Sequence, residues 1–236
     1  MTIDHTQDPT RTRRASILWL AFLAVSAVHL ASHLCPLGDL DLATKPLLMP
    51  ILLAWFLTVT RRGRLRTLVG IGLGLSWLGD LGLMPSGEAW FLAGLGAFLL
   101  AQLTYAVAFW PYRSRSVVTR PLATAPYVLG LVVLLAALWG ELGEMRLPVI
   151  AYALAIITMA ILATGLGSTV AIGAILFVVS DTLIAVDSVT DLYRLPAHGF
   201  WVMLTYLLAQ ALIARGVSGA TQARGGHSAT DPDRVN

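Results

Sequence analysis

GIGLGLSWLGDLGLMP, residues 70–85, holds one carboxylate, Asp80, inside an otherwise uncharged and apolar run. An Asp at the centre of a membrane helix costs about 2.5–3.5 kcal/mol on insertion scales, so such a residue marks a functional position by default. The arrangement recurs. GAILFVVSDTLIA, residues 173–185, sets Asp181 behind a long apolar lead-in, and a small residue, Gly79 or Ser180, precedes each acid. Gly72, Ser76 and Asp80 follow at i, i+4 and i+8, which gives a narrow, partly polar helix face suited to close packing.

Composition explains why an apolar run around an acid decides the fold. The chain is 57% hydrophobic and 12% charged over 236 residues, against roughly 25% charged in ordinary globular domains. It contains eight apolar runs, too many to hide in one soluble core, at lengths close to the roughly 17–25 residues a membrane helix needs. The expected fold is therefore all-α, a polytopic bundle of eight transmembrane helices at 16–34, 46–60, 67–84, 89–110, 121–139, 147–164, 169–186 and 197–214. A polar segment, 1–15, precedes them, and a tail, 215–236, has too little apolar surface to fold and is expected to be disordered. The N-terminal apolar run is longer than a signal-peptide core and has no small-residue cleavage site, so it reads as the first span.

The net charge of +3 does not point to nucleic acid, because the basic residues form no stripe and no RNA-binding motif. They read as topology signals instead. Counted on alternate sides of eight spans, thirteen Lys and Arg face one side and only Lys45, Arg146 and Arg194 face the other. The positive-inside rule then puts both termini in the cytoplasm, with a bacterial plasma membrane as the expected location. The lone cysteine, Cys35, forms no internal disulfide and carries no expected role.

With the third and seventh helices running from inside to outside, Asp80 and Asp181 fall within roughly 5–10 Å of the outer hydrocarbon edge and can share one site. Lys45 begins the second helix on that side, placed to neutralise a carboxylate, bind a phosphate or anchor at the interface. Tyr152 reaches a similar depth, and Tyr206 lies deeper with Gln210 one turn on. Gln102 and Tyr105 form a comparable i, i+3 pair, and both glutamines read as support for a cavity floor. Ser76 and Ser180, beside the acids, join the expected substrate-binding set. His29 and His33, at i, i+4, with His198 on the same side, raise the possibility of zinc, but no HExxH or other metal or cofactor motif accompanies them. No metal and no cofactor are expected. A short parallel repeat is also visible, since each acid helix is followed by a helix carrying LLAQ, at 99–102 and 207–210.

TKPLLMP at 44–50, SWLGDLGLM at 76–84, FLAGLGAFLLAQLTYAVAF at 91–109, RLPVIAYALAIITMA at 146–160, GAILFVVSDTLIA at 173–185 and LTYLLAQALIA at 204–214 together resemble the YhhN-like lysoplasmalogenase family, in order from the second helix to the eighth. That resemblance implies an eight-helix membrane enzyme that hydrolyses the vinyl ether bond of lysoplasmalogens to a fatty aldehyde and glycerophosphocholine or glycerophosphoethanolamine. It also implies that Asp80 and Asp181 are catalytic, with Lys45, Tyr152, Tyr206 and Gln210 near the pocket. Gln102 is a departure, standing where the family pattern leads one to expect His. The expected partners are a lysophospholipid substrate and the bilayer.

The chemistry suits two buried carboxyls. Protonating the outer alkene carbon of a vinyl ether generates an oxocarbenium ion, water adds, and the hemiacetal collapses. A pair of interacting carboxyls can hold one shared proton at neutral pH, so one member serves as general acid while the other stabilises the cation and activates water. The residues do not say which acid takes which role. Competing readings are a hydrolase of another lysolipid ether or ester, a proton-coupled transporter, a scaffold, and an intramembrane aspartyl protease. The last is disfavoured because Trp77-Leu78-Gly79-Asp80 lacks the first glycine of a GxGD motif.

Overall fold

The computed structural model describes residues 9–35, 38–189 and 195–227. Eight α-helices and no strand occur among them: α1 (Pro9–Ser32), α2 (Leu40–Val59), α3 (Arg64–Gly82), α4 (Glu88–Phe109), α5 (Pro121–Leu138), α6 (Arg146–Ala163), α7 (Ser168–Val189) and α8 (His198–His227). Large apolar side chains such as Leu20, Leu129 and Leu147 point outward, while Asp80, Gln102, Gln210, Ser76 and Ser180 are buried. An apolar exterior around a polar interior is the distribution a bilayer demands and water forbids. The protein is a multi-pass membrane protein.

Seven helices are long and apolar enough to cross a membrane. The eighth, α3, does not join them, and it carries Arg64, Arg66 and Asp80 within 19 residues. Three ends also differ clearly from expectation. The first helix starts at Pro9, not near residue 16, the second starts at Leu40, not at 46, and the last continues to His227, beyond the expected end at 214. Residues 190–194 of the linker before α8, and 228–236 of the expected tail, lie outside the described residues.

The extensions of α1 and α8 are held by contacts around the end of α2, where the last carbonyls run out of helical donors. Each finds a donor. Phe56 O accepts from the Thr60 amide, Leu57 O from Arg66 Nη2 at 2.8 Å, Thr58 O from Arg11 Nε at 2.8 Å and Val59 O from Gln222 Nε2 at 3.2 Å. Arg11 and Gln222 are the polar continuations of α1 and α8, so the capping itself draws those helices past the apolar spans.

The helices pack as a ring, α1, α2, α3, α4, α6, α7 and α8, with α8 returning to α1, α2 and α3 and α5 lying outside, chiefly against α6. Glycines set the two tightest seams. A Cβ on Gly82 would meet the Gly94 backbone at 2.7 Å, and one on Gly173 would meet the Ala209 carbonyl at 2.9 Å. Pairs α3–α4 and α7–α8 therefore approach backbone to backbone, the mode of association small residues permit in lipid. The two acid-bearing helices are each clamped to their sequence successor.

Candidate active site

Asp80 sits two residues before the end of α3 and is 4% exposed. Tyr206, from α8, donates its hydroxyl to Asp80 Oδ2 at 2.8 Å. Asp181, on α7, accepts from the Tyr152 hydroxyl of α6. The carboxylates are near enough to act on each other electrostatically, and Lys45 acts on Asp80 in the same way. Sequence reasoning expected these five residues near one site, and the bundle gathers them. The tyrosines cross from different helices, so each acid holds its own donor.

Close packing fixes the orientation of these groups. A Cβ on Gly79 would meet the Phe98 ring at 2.5 Å, so glycine at 79 is what lets Phe98 lie against α3 beside Asp80. Phe98 in turn meets Tyr206 and Phe177 edge-on, with centroids 5.9 and 6.3 Å apart. Tyr206 is thereby wedged in a ring cluster with its hydroxyl aimed at the acid. Nothing in the apolar pattern around Phe98 distinguishes it from other lipid-span aromatics. The only sequence signal is indirect, the missing side chain at Gly79.

A cavity of about 310 Å³ opens beside Asp181, lined by Leu83, Glu88, Phe98, Val149, Tyr152 and Ile184 among others. It lies near the end of the bundle opposite the chain termini. The helices beside it differ in reach. α3 ends at Gly82, which packs on Gly94, the seventh residue of α4, so α4 stands about 9 Å taller than its partner there. Asp181 lines this cavity and Asp80 is not part of the lining. The two carboxyls are chemically alike but differently placed.

One turn deeper lies a polar floor. Gly79 opposes Phe98 and Gly72 opposes Tyr105, which sets Gln102 level with Ser76. Gln210, one turn beyond Tyr206, converges on the same level, where its Oε1 accepts from Tyr105 at 3.0 Å. Ser76 faces Tyr105 and Gln102 faces Tyr152, and neither reaches hydrogen-bond geometry to a protein group among the described residues. Ser76 Oγ, both polar atoms of Gln102 and Gln210 Nε2 are thus buried and unpartnered. Unsatisfied polar atoms in an apolar interior cost roughly 1–3 kcal/mol each on protein scales, and such a cluster is what a bound water with two to four partners satisfies. The i, i+3 pair of Gln102 and Tyr105 separates in the structure, because side chains on one face of α4 meet different neighbours.

Other expected residues are placed elsewhere. Ser180 turns away from the cavity and donates to Val202 O of α8 at 3.1 Å, so it staples α7 to α8. His29 is buried with Nδ1 2.8 Å from Thr44 Oγ1, and its ring meets His33 edge-on. His198 pairs with Asp187 at 3.8 Å.

A family model described as the YhhN family matches residues 40–217. The lysoplasmalogenase TMEM86B of Sus scrofa is 36% identical over 130 residues, 54% of this chain and 54% of the pig protein. The protein of the same name from Rattus norvegicus is 33% identical over 171 residues, 72% of this chain and 68% of the rat protein. The chain therefore spans about half the length of the pig relative. No solved structure matches it.

Proposed function

The chain belongs to the YhhN family, and on that premise we propose that it is a membrane hydrolase that cleaves the vinyl ether bond of lysoplasmalogens, releasing a fatty aldehyde and glycerophosphocholine or glycerophosphoethanolamine. The names of the pig and rat relatives favour that substrate. The observation that carries the reading is Asp181 on the wall of an apolar cavity with a second buried carboxyl, Asp80, near enough to act on it electrostatically. At about 310 Å³ the cavity stands at the small end of ligand pockets, which run to about 1,000 Å³. It receives the vinyl ether segment while the rest of the lipid stays in the bilayer.

In this reading Asp181 is the general acid. It delivers its proton to the outer alkene carbon, and the ether oxygen shares the resulting positive charge as an oxocarbenium ion. Asp80, ionised beside Lys45, offsets that charge and takes a proton from water supplied by the Ser76, Gln102 and Gln210 floor. Hydroxyl adds to the cationic carbon, and the hemiacetal breaks its carbon–oxygen bond as its own hydroxyl proton passes to the departing glycerol oxygen. Transfer of the proton from Asp80 to Asp181 restores the pair. Tyr152 and Tyr206 hold the two carboxyls in register.

The same reading includes eight spans, with α3 crossing as the polar-lined member, and both termini in the cytoplasm, since thirteen basic residues gather at their end. The cavity then opens outward, near the headgroup boundary of a bacterial plasma membrane. The test is aldehyde release from lysoplasmenylethanolamine by purified protein in detergent. Asp80→Asn and Asp181→Asn should each lower kcat by about 10²-fold or more, the scale of general acid–base catalysis, with chelator without effect. Folded wild type that releases no aldehyde, or Asn variants that keep full rate, would remove this assignment.

A further inference from the structure

A second cavity, of about 700 Å³, lies at the opposite end of the bundle, between α1, α2 and α8. Arg11, Arg61 and Arg215 line it together with Trp19, Trp55 and Gln222. No carboxylate belongs to the lining, and none pairs with these three arginines among the described residues. Three cations in one concavity repel one another unless something anionic joins them. The enzyme reaction makes no use of this site, which is a bundle length away from Asp80 and Asp181.

The donors are arranged for an anion. Arg11 spends Nε on the Thr58 carbonyl, which orients its guanidinium, and among the described residues its Nη groups have no carboxylate partner. The Arg215 guanidinium lies over the Trp19 ring, 5.1 Å from the centroid, held by cation–π attraction at the cavity wall. Arg61 follows directly on the capped end of α2. Guanidinium groups held as those of Arg11 and Arg215 are suit phosphate oxygens. Below them the wall becomes aromatic and apolar, with Trp19 and Trp55 in contact at 4.7 Å between centroids and Ala15 and Val59 beside them.

We propose that this cavity is a binding site for the phosphate headgroup of an anionic phospholipid, with the arginines on the phosphate and the tryptophan floor against the glycerol and upper acyl chain. The amphipathic wall favours a lipid over a soluble anion, since a free phosphate would use the arginines and leave the apolar half uncovered. Basic pockets between helices on the cytoplasmic side are a recurring mode of anionic lipid capture. The occupant would tie α1 to α8, the two helices whose polar extensions both bond to the end of α2.

The test is lipid binding to the full chain in detergent, read by native mass spectrometry with titrated phosphatidylglycerol or phosphatidylcholine. Arg11 is left unchanged because its Nε caps α2. The Arg61→Gln/Arg215→Gln double variant should bind phosphatidylglycerol at least tenfold more weakly than wild type, with unchanged helicity and melting temperature. Arg120→Gln, a basic residue outside the cavity, should match wild type, and phosphatidylcholine should bind weakly to all three. Equal phosphatidylglycerol binding by the double variant and wild type would overturn the proposal, as would an equal loss in Arg120→Gln. A third arm adds inorganic phosphate at millimolar concentration. Displacement of the lipid by phosphate alone would assign the site to a soluble anion and overturn the lipid reading, whereas retention supports it.

Discussion

Gly74 and Gly79 are both glycines on α3, five residues apart, yet the structure gives them opposite weight. A Cβ at Gly74 meets nothing within 4 Å, while one at Gly79 runs into Phe98. Phe98 cannot swing aside, because Phe177 and Tyr206 hold it edge-on from two directions. Gly79→Ala is therefore expected to cost about 1–3 kcal/mol, the range for overpacking a filled interior, and to lower the melting temperature in detergent. Gly74→Ala should leave it unchanged or raise it. Because the displaced ring also touches Tyr206, aldehyde release should fall with stability in the first variant and persist in the second. The sequence showed the acid and its small neighbour, but not which aromatic the small neighbour admits, since that partner comes from another helix.

At the scale of the element, α2 contains Pro46 and Pro50 and still runs as one helix. Pro50 has no N–H, so the carbonyl of Pro46 loses its partner four residues on. Trp77 of α3 replaces it, donating Nε1 to Pro46 O at 2.9 Å. Trp77→Phe should leave that carbonyl unpaired and cost about 1–3 kcal/mol. Pro50→Ala restores the helical donor, so in that background Trp77→Phe should cost far less. A double-mutant cycle from detergent unfolding would give a coupling within the roughly 0.5–3 kcal/mol seen for contacting residues, and zero coupling would show that the indole bond does not serve α2. The prolines themselves stand in the sequence, but the repair of the helix around them was not legible, because a donor from a neighbouring helix leaves no local pattern.

For the whole molecule, the proposed orientation places the lone cysteine, Cys35, outside and the C-terminus inside. Cys35 is exposed, so a membrane-impermeant maleimide should label it in intact spheroplasts, while a C-terminal fluorescent-protein fusion should fold and fluoresce in the cytoplasm. Labelling only after lysis would invert the orientation and move the cavity at Asp181 to the inner leaflet. The all-helical, membrane-embedded class was determined by the sequence alone, because the length and apolarity of a span are properties of consecutive residues, fixed by bilayer thickness before any helix meets another. The two acids were determined in the same way, each being costly in its own helix. What only the tertiary structure decided is how those acids differ: Asp181 lines a cavity and Asp80, buried nearby, does not. The tyrosine donors, the buried floor of Ser76, Gln102 and Gln210, and the arginine cavity at the opposite end belong to that same class. Each depends on distances between helices, and those distances are set by where glycines let backbones meet, which spacing along a single chain does not encode.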